Sequence, residues 1–245
     1  MAGRTDVGKK RKNNEDSLYF SEEEGFAIVA DGMGGLEAGE VASQMVVQGM
    51  AGHFIRAHGE RRSSKGRPME LLGRLTVSCR EWLSSVNAEL YLAAKSRERR
   101  HKMGSTIAFF VECADHIVVG NLGDSRVYRR REGKLAQLSV DHSWAAESPD
   151  AVPDGEMKRA KKFVTRALGI QARIEPEFLV EKVQRGDLFL LCSDGMTEEA
   201  TDEDLNRVLG EIGEDLWQGA AALITEANGR GGADNVSVVV ARAVG

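Results

Sequence analysis

Phe26-Ala27-Ile28-Val29-Ala30-Asp31-Gly32-Met33-Gly34-Gly35 joins five apolar residues directly to an acid and a glycine-rich turn. The apolar run shows no polar alternation, so it suits a strand buried on both faces better than one with a wet side. The same grammar recurs in the last quarter of the chain. Leu188-Phe189-Leu190-Leu191-Cys192 leads through Ser193 to Asp194-Gly195, and Asp234-Asn235 stands directly before the run Val236 to Ala241. Three acids are therefore expected at the ends of three strongly apolar strands, where rigid backbone can hold a side chain against a cleft.

Other short apolar or β-branched runs lie at Thr106 to Val111, Ile117 to Val119 and Arg126 to Tyr128. Between these runs the period changes. Ala42, Val46, Met50 and Phe54 recur at spacing four, and Leu71, Leu75, Cys79, Trp82, Val86 and Leu90 continue the pattern. Leu205, Val208, Leu209 and Ile212 form an amphipathic stripe with Thr201 placed to cap it, and Leu216, Ala220, Leu223 and Ala227 mark a further helix. Two helices early, strands in the middle and two helices before a last strand predict an α+β chain. Its sheets should be antiparallel with helices packed outside, because the order is not a regular βαβ repeat. The stretch Arg61 to Arg67 reads as a polar, basic loop.

The 245 residues are 42% hydrophobic and 29% charged, enough for one substantial core. No Gly/Ser linker or repeat interrupts them, so residues 1–245 are expected to form a single domain. Lys and Arg number 33 against 38 Asp and Glu, a net charge of −5, which lacks the basic excess of a nucleic-acid binder. No apolar run approaches the roughly 20 residues that span a bilayer, and Met1 to Asp6 contain no signal-peptide core. The expectation is a cytoplasmic monomer. Cys79, Cys113 and Cys192 are odd in number and widely spaced, which suits neither a disulfide framework nor a CxxC zinc site. The position six residues after each holds Ser85, Val119 or Glu198, where a cysteine phosphatase would carry Arg.

Asp-Gly is also a common turn dipeptide, so each acid alone has a plain conformational reading. Three at strand ends are different. Carboxylates meeting at a sheet edge repel one another, and cations between them would offset that repulsion. An all-oxygen set implies a hard divalent ion such as Mg²⁺ or Mn²⁺ rather than zinc. Spacing alone does not show that the three ends converge. Neither a GxxxxGK[ST] loop nor a G-x-S-x-G elbow occurs, and both Asp31 and Asp194 open Asp-Gly-Met rather than the Asp-x-Asp of an aspartyl-phosphate enzyme.

Further motifs fall in order along nearly the whole chain. Thr5-Asp6-Val7-Gly8-Lys9-Lys10-Arg11-Lys12-Asn13-Asn14-Glu15-Asp16 resembles a T-D-x-G-x-x-R-x-x-N-E-D opening, and Asp31-Gly32-Met33-Gly34-Gly35 is similar to D-G-M-G-G. Gly104-Ser105-Thr106, Gly120-Asn121-Leu122-Gly123-Asp124-Ser125-Arg126, Asp141-His142-Ser143, Thr165-Arg166-Ala167-Leu168-Gly169, Ser193-Asp194-Gly195 and Asp234-Asn235 complete the series. Together they resemble the metal-dependent Ser/Thr protein phosphatases of the 2C type, in their compact bacterial form.

The resemblance implies a four-layer αββα sandwich with two Mn²⁺ or Mg²⁺ ions at one edge. Asp31 would bridge both ions, the backbone carbonyl of Gly32 would ligate one, and Asp194 and Asp234 would hold the other. Asp124, with Asp194, would match a looser third-metal site. Glu15 and Asp16 would act through coordinated water, Asn235 would orient nearby ligands, and Arg11 would grip the substrate phosphate with its planar fork. Arg11, Asp31, Asp194 and Asp234 are then the catalytic set. The implied substrates are phosphoserine and phosphothreonine proteins, in opposition to a bacterial Ser/Thr kinase. A regulatory phosphoprotein-binding module and a general small-phosphoester hydrolase are the alternatives.

Two departures stand out. Met33 follows Gly32 where eukaryotic members carry a His shortly after the first Asp-Gly, which leaves the proton donor to the leaving group open between metal-bound water and another group such as His142. In the flap-like segment at about 142–164, Lys158-Arg159-Ala160-Lys161-Lys162-Phe163 replaces a His-Pro-x-x-Asn-like stretch. These charges read either as a solvated helix face or as a recruiting surface for an acidic phosphoprotein.

Overall fold

Side chains along a strand alternate between its two faces, and in β3 (Phe26–Met33) both faces are buried. Phe26, Ile28 and Ala30 enter one core cluster, whereas Ala27 and Val29 enter another. This is why the run carries no polar alternation. A computed structural model describes residues 1–34, 38–63, 68–96 and 103–244.

Two antiparallel sheets are stacked. One runs, in spatial order, β1 (Ala2–Asp6), β11 (Val236–Arg242), β10 (Leu188–Cys192), β7 (Arg126–Arg131) and β8 (Lys134–Gln137). The other runs β2 (Asp16–Ser21), β3, β5 (Ile107–Cys113), β6 (His116–Leu122) and β9 (Glu177–Lys182), with the two-residue β4 (Gly104–Ser105) on the end of β3. Ala27, Val29, Ala108, Phe110 and Val119 of the second sheet meet Val127, Phe189, Leu191 and Val239 of the first between the layers. Phe110 and Phe189 pack across that gap with ring centroids 5.7 Å apart.

Helices α1 (Ala38–Ser63) and α2 (Pro68–Ser96) cover the second sheet with Ala42, Val46, Met50, Phe54, Leu75, Cys79 and Leu90. Helices α6 (Asp202–Glu211) and α7 (Leu216–Arg230) cover the first with Leu205, Val208, Leu209, Ala220, Leu223 and Ala227. Each fully buried aliphatic or aromatic side chain contributes about 1.5–3 kcal/mol. Thr201 caps α6 as expected, its hydroxyl accepting from Asp204 N–H in a capping box. The αββα layering is the expected one.

Some local expectations differ. β3 does not stop at Ala30 but runs on through Asp31 and Gly32 to Met33. Residues 61–63 of the supposed loop continue α1, while 64–67 lie outside the described residues, as does Gly35 of the glycine-rich turn. Strands β1, β2, β8 and β9 lie outside the expected set: β1 and β8 carry no apolar run, and β2 and β9 carry only Leu18-Tyr19-Phe20 and Phe178-Leu179-Val180 between polar residues. β9 is an edge strand with polar residues Glu177, Glu181 and Lys182, a composition that protects an edge rather than fills a core.

Candidate active site

The site forms where one end of each sheet meets the other. In the β2–β3 register Asp16 lies opposite Asp31. From the other sheet, β10 ends at Cys192, and after Ser193 the acid Asp194 opens the short helix α5 (Asp194–Thr197). Asp234 immediately precedes β11. The two sheets are stitched here by a buried serine: Ser193 Oγ donates to Asp16 Oδ2 at 2.7 Å and accepts the Ser237 N–H at 2.9 Å. Convergence, which spacing left open, is thus a consequence of register and this cross-sheet link.

Each acid is held through its backbone or its neighbours. Asp31 N–H donates to Thr106 Oγ1 and Thr106 N–H returns to the Asp31 carbonyl, both at 2.9 Å. Thr106 Oγ1 also pairs with Ser125 Oγ at 2.7 Å, tying Asp31 to the turn that carries Asp124. The Asn235 amide donates to the Val7 and Asn13 carbonyls at 3.0 and 2.9 Å and accepts the Glu15 N–H at 2.9 Å, so it latches the Arg11-bearing segment onto the start of β11. Gly32 donates its N–H to the Glu15 carbonyl at 3.0 Å. A Cβ on Gly32 would lie 2.0 Å from the Gly39 carbonyl oxygen, and one on Gly195 would lie 2.1 Å from that of Asn235. Glycine at both positions lets α1 and α5 approach the site backbone to backbone.

Electrostatically the cluster is strained. Burial, then the charges of Asp194, Asp16, Asp124 and Asp234, push Asp31 well above the usual carboxylate range. Asp194 is raised likewise by burial and then by Asp124, Glu198 and Asp234. Burial lifts Asp124 to about 7, and it lifts Asp16 to about 6 against the hydrogen bonds from Ser193 and Ser237. Glu15, also raised chiefly by burial, takes a backbone hydrogen bond from Gly39 in the first turn of α1. Arg11 brings positive charge against the cluster: Arg11 Nη2 donates to Asp234 Oδ2 at 2.6 Å, while Asp234 Oδ1 accepts the Asn235 N–H at 2.8 Å.

Asp16 Oδ1, Asp124 Oδ1 and Asp194 Oδ1 are buried with no hydrogen-bond partner. Unpartnered buried carboxylate oxygens from adjacent acids fit hard divalent cations, which take oxygen ligands only. Among the described residues no three acid, His or Cys side chains close around one point. Ions such as Mg²⁺ need no such cage, because they commonly take one or two carboxylates and complete their shell with water.

A cleft of about 820 Å³ opens from Asp124 and Asp194. Arg126, Glu198 and Thr201 line one part, and Met157, Lys161 and Lys162 face in from the flap-like segment. That segment contains the helical turns α3 (Trp144–Glu147) and α4 (Met157–Lys161), with a 3-10 turn at Pro149–Ala151 between them. Arg166 Nε pairs with Glu147 at 2.6 Å, and Lys162 pairs with Glu198, so the segment is pinned on two sides. Of the basic run, Arg159 is exposed beside Glu156, Lys162 is already paired, and the Lys158 side chain lies outside the described residues.

His142 does not line the cleft. It is 2% exposed, its Nδ1 accepts the Gly123 N–H at 3.0 Å, and burial followed by the Arg166 charge lowers its pKa. These surroundings hold a neutral ring and do not suit a proton donor to a leaving group. Nothing in the sequence marks a role for Thr106, Ser193 or Ser43, the last of which donates its hydroxyl to the Glu15 carbonyl at 2.6 Å. All three stand within or beside the quoted motifs or helix starts, but a hydroxyl in sequence carries no sign of which partner it will find.

The family model for protein phosphatase 2C matches residues 6–225. The chain is 31% identical over 247 residues to the serine/threonine phosphatase stp of Listeria monocytogenes, covering 97% of this chain and 93% of that protein. It superposes on the catalytic domain of the serine/threonine protein phosphatase PstP in complex with two manganese ions, with a TM-score of 0.82 and 31% identity over 100% of this chain and 97% of that one. PppA, a key regulatory component of T6SS in Pseudomonas aeruginosa, is similar to the same degree, with a TM-score of 0.82, 32% identity and coverage of 99% and 96%.

Proposed function

Because the chain belongs to the protein phosphatase 2C family, we propose that it removes phosphate from phosphoserine and phosphothreonine in proteins, in opposition to a Ser/Thr kinase. The observation that carries this reading is the set of buried, unpartnered oxygens on Asp16, Asp124 and Asp194, gathered beside Asp31 from the ends of both sheets. Asp31, the Gly32 carbonyl, Asp194 and Asp234 would hold two Mn²⁺ or Mg²⁺ ions, and Asp124 with Asp194 a third. Bound there, such ions supply positive charge for the phosphate and acidify water into a nucleophile at neutral pH.

The chain's own groups do the rest. Arg11 has a half-exposed guanidinium at the rim, and exchanging Asp234 for substrate would let its fork take two phosphate oxygens. Thr106, Ser193 and Asn235 fix the acids on rigid strand ends, so little reorganisation accompanies reaction. Glu15 and Asp16 would act at the edge of the cluster through water held by the ions. No side-chain nucleophile is needed: the three cysteines are buried, and burial pushes the Cys192 thiol up to about 12. Since both sheets contribute acids, residues 1–245 act as one catalytic domain.

Hydrolysis of p-nitrophenyl phosphate and of a phosphothreonine peptide, measured with Mn²⁺, with chelator and with Asp194→Asn, tests the proposal. Turnover of the peptide that requires the ion and Asp194 is expected. Activity that survives both treatments would overturn the mechanism. Tight phosphopeptide binding without turnover would instead indicate a regulatory module, and turnover of the small ester alone a general phosphoesterase.

A further inference from the structure

Asp124 sits in a turn whose backbone is not self-supporting. Gly123, just before it, has φ +109°, a conformation in which glycine is strongly favoured, and a Cβ there would lie 2.6 Å from Thr106 Cγ2. Glycine allows the turn, but glycine alone does not hold it. The restraint comes from residue 142, nineteen positions later. His142 N–H donates to the Gly123 carbonyl at 2.9 Å, and His142 Nδ1 accepts the Gly123 N–H at 3.0 Å. Backbone and side chain of one residue thus grip both polar groups of one peptide unit pair. On the far side of Asp124, Ser125 Oγ is tied to Thr106 Oγ1 at 2.7 Å. Asp124 is therefore oriented through its two neighbours, while its own Oδ1 remains buried without a partner beside the cleft.

We propose that His142 is a positioning residue for Asp124: its neutral imidazole, with Nδ1 as acceptor, clamps the Gly123–Asp124 turn so that the Asp124 carboxylate is preset to take a divalent cation with Asp194. Acceptance at Nδ1 fixes the tautomer, with the ring proton on Nε2. His142 also stands at the base of the flap-like segment, since its carbonyl accepts the Thr165 N–H at 2.9 Å where that segment returns. Ion binding at Asp124 and anchoring of the flap thereby share one residue. This inference rests on the reading of Asp124 as a metal ligand.

The test is calorimetric titration of the full chain with Mn²⁺, alongside thermal melts. Asp124→Asn should abolish the weakest binding event and leave the two tighter ones. His142→Leu, which keeps bulk but removes the acceptor, should weaken that same event roughly ten-fold, the scale seen when a group supporting a metal ligand is lost. His142→Asn, whose Oδ1 can stand where Nδ1 stands, should restore affinity to within about two-fold of the parent. His142→Gln places its acceptor farther out and should behave like Leu, which keeps the comparison available if the Leu variant does not fold. An isotherm unchanged by Asp124→Asn would sink the reading of Asp124 itself. If Asp124→Asn acts but His142→Gln and His142→Leu bind Mn²⁺ like the parent, or if Asn and Gln are equally impaired, His142 does not position Asp124.

Discussion

A carboxylate crowded by other carboxylates works against the fold, and Asp194 is the sharpest instance. It faces Asp124, Glu198 and Asp234 at the base of the cleft, and its partial burial and these charges hold its pKa well up. Asp194→Asn should reduce Mn²⁺-dependent phosphopeptide turnover by roughly two orders of magnitude or more. The same substitution should raise the melting temperature of the metal-free protein, because it removes one like charge from the cluster. Turnover assays and scanning calorimetry in chelator check the two halves separately. Arg11 differs, because its side chain is 52% exposed and its pair with Asp234 is solvent-screened. Arg11→Ala should change stability by no more than about 0.5 kcal/mol, yet raise KM for the phosphopeptide about ten-fold. The charged residues that converge here stood out in sequence, since Asp, Arg and Gly at fixed offsets carry the quoted motifs. The supporting hydroxyls of Thr106 and Ser193 were not, because their partners lie 75 and 177 residues away.

Elements were legible in proportion to how completely they are buried. β3, β10 and β11 lie inside the stack and read as strongly apolar runs, broken in β11 only by Ser237 before Val238, and α6 displayed both its stripe and its cap. β9 failed to show because one face of an edge strand meets water, and β2 because its six residues Asp16–Ser21 are mostly half-buried. The α6 cap supports a quantitative expectation at this scale. Thr201→Ala removes the acceptor for Asp204 N–H and should cost about 1 kcal/mol in urea unfolding. A loss near zero would mean that the carboxylate of Asp204, whose own bond to the Thr201 N–H survives, suffices to start the helix.

Across the whole molecule, the acids join two sheets that otherwise touch mainly through the apolar layer between them. Cation binding at Asp31, Asp194 and Asp234 would therefore cross-link the stack, so Mn²⁺ should raise the melting temperature and chelator lower it. In the metal-free protein the pH dependence has a definite sign. Asp16 and Asp124, lifted to about 6 and about 7, bind protons more tightly folded than unfolded. Their stabilising contribution is complete below about pH 4 and is lost as pH rises through 6 to 7. Melting in chelator should thus fall between about pH 4 and about pH 7, and saturating Mn²⁺ should remove that fall. The strand order carries a consequence of a different kind. β11 lies inside the first sheet, between β1 and β10, although it is the last strand in the chain, and Asp234 leads into it. On the ribosome, then, Asp31 and its neighbours emerge long before the strand that must slot between two earlier ones. A nascent chain short of residue 234 lacks one of the acids, and one short of residue 242 lacks a complete β11. Chains truncated before Val236–Arg242 should therefore lack phosphatase activity, which assays of C-terminally truncated protein check.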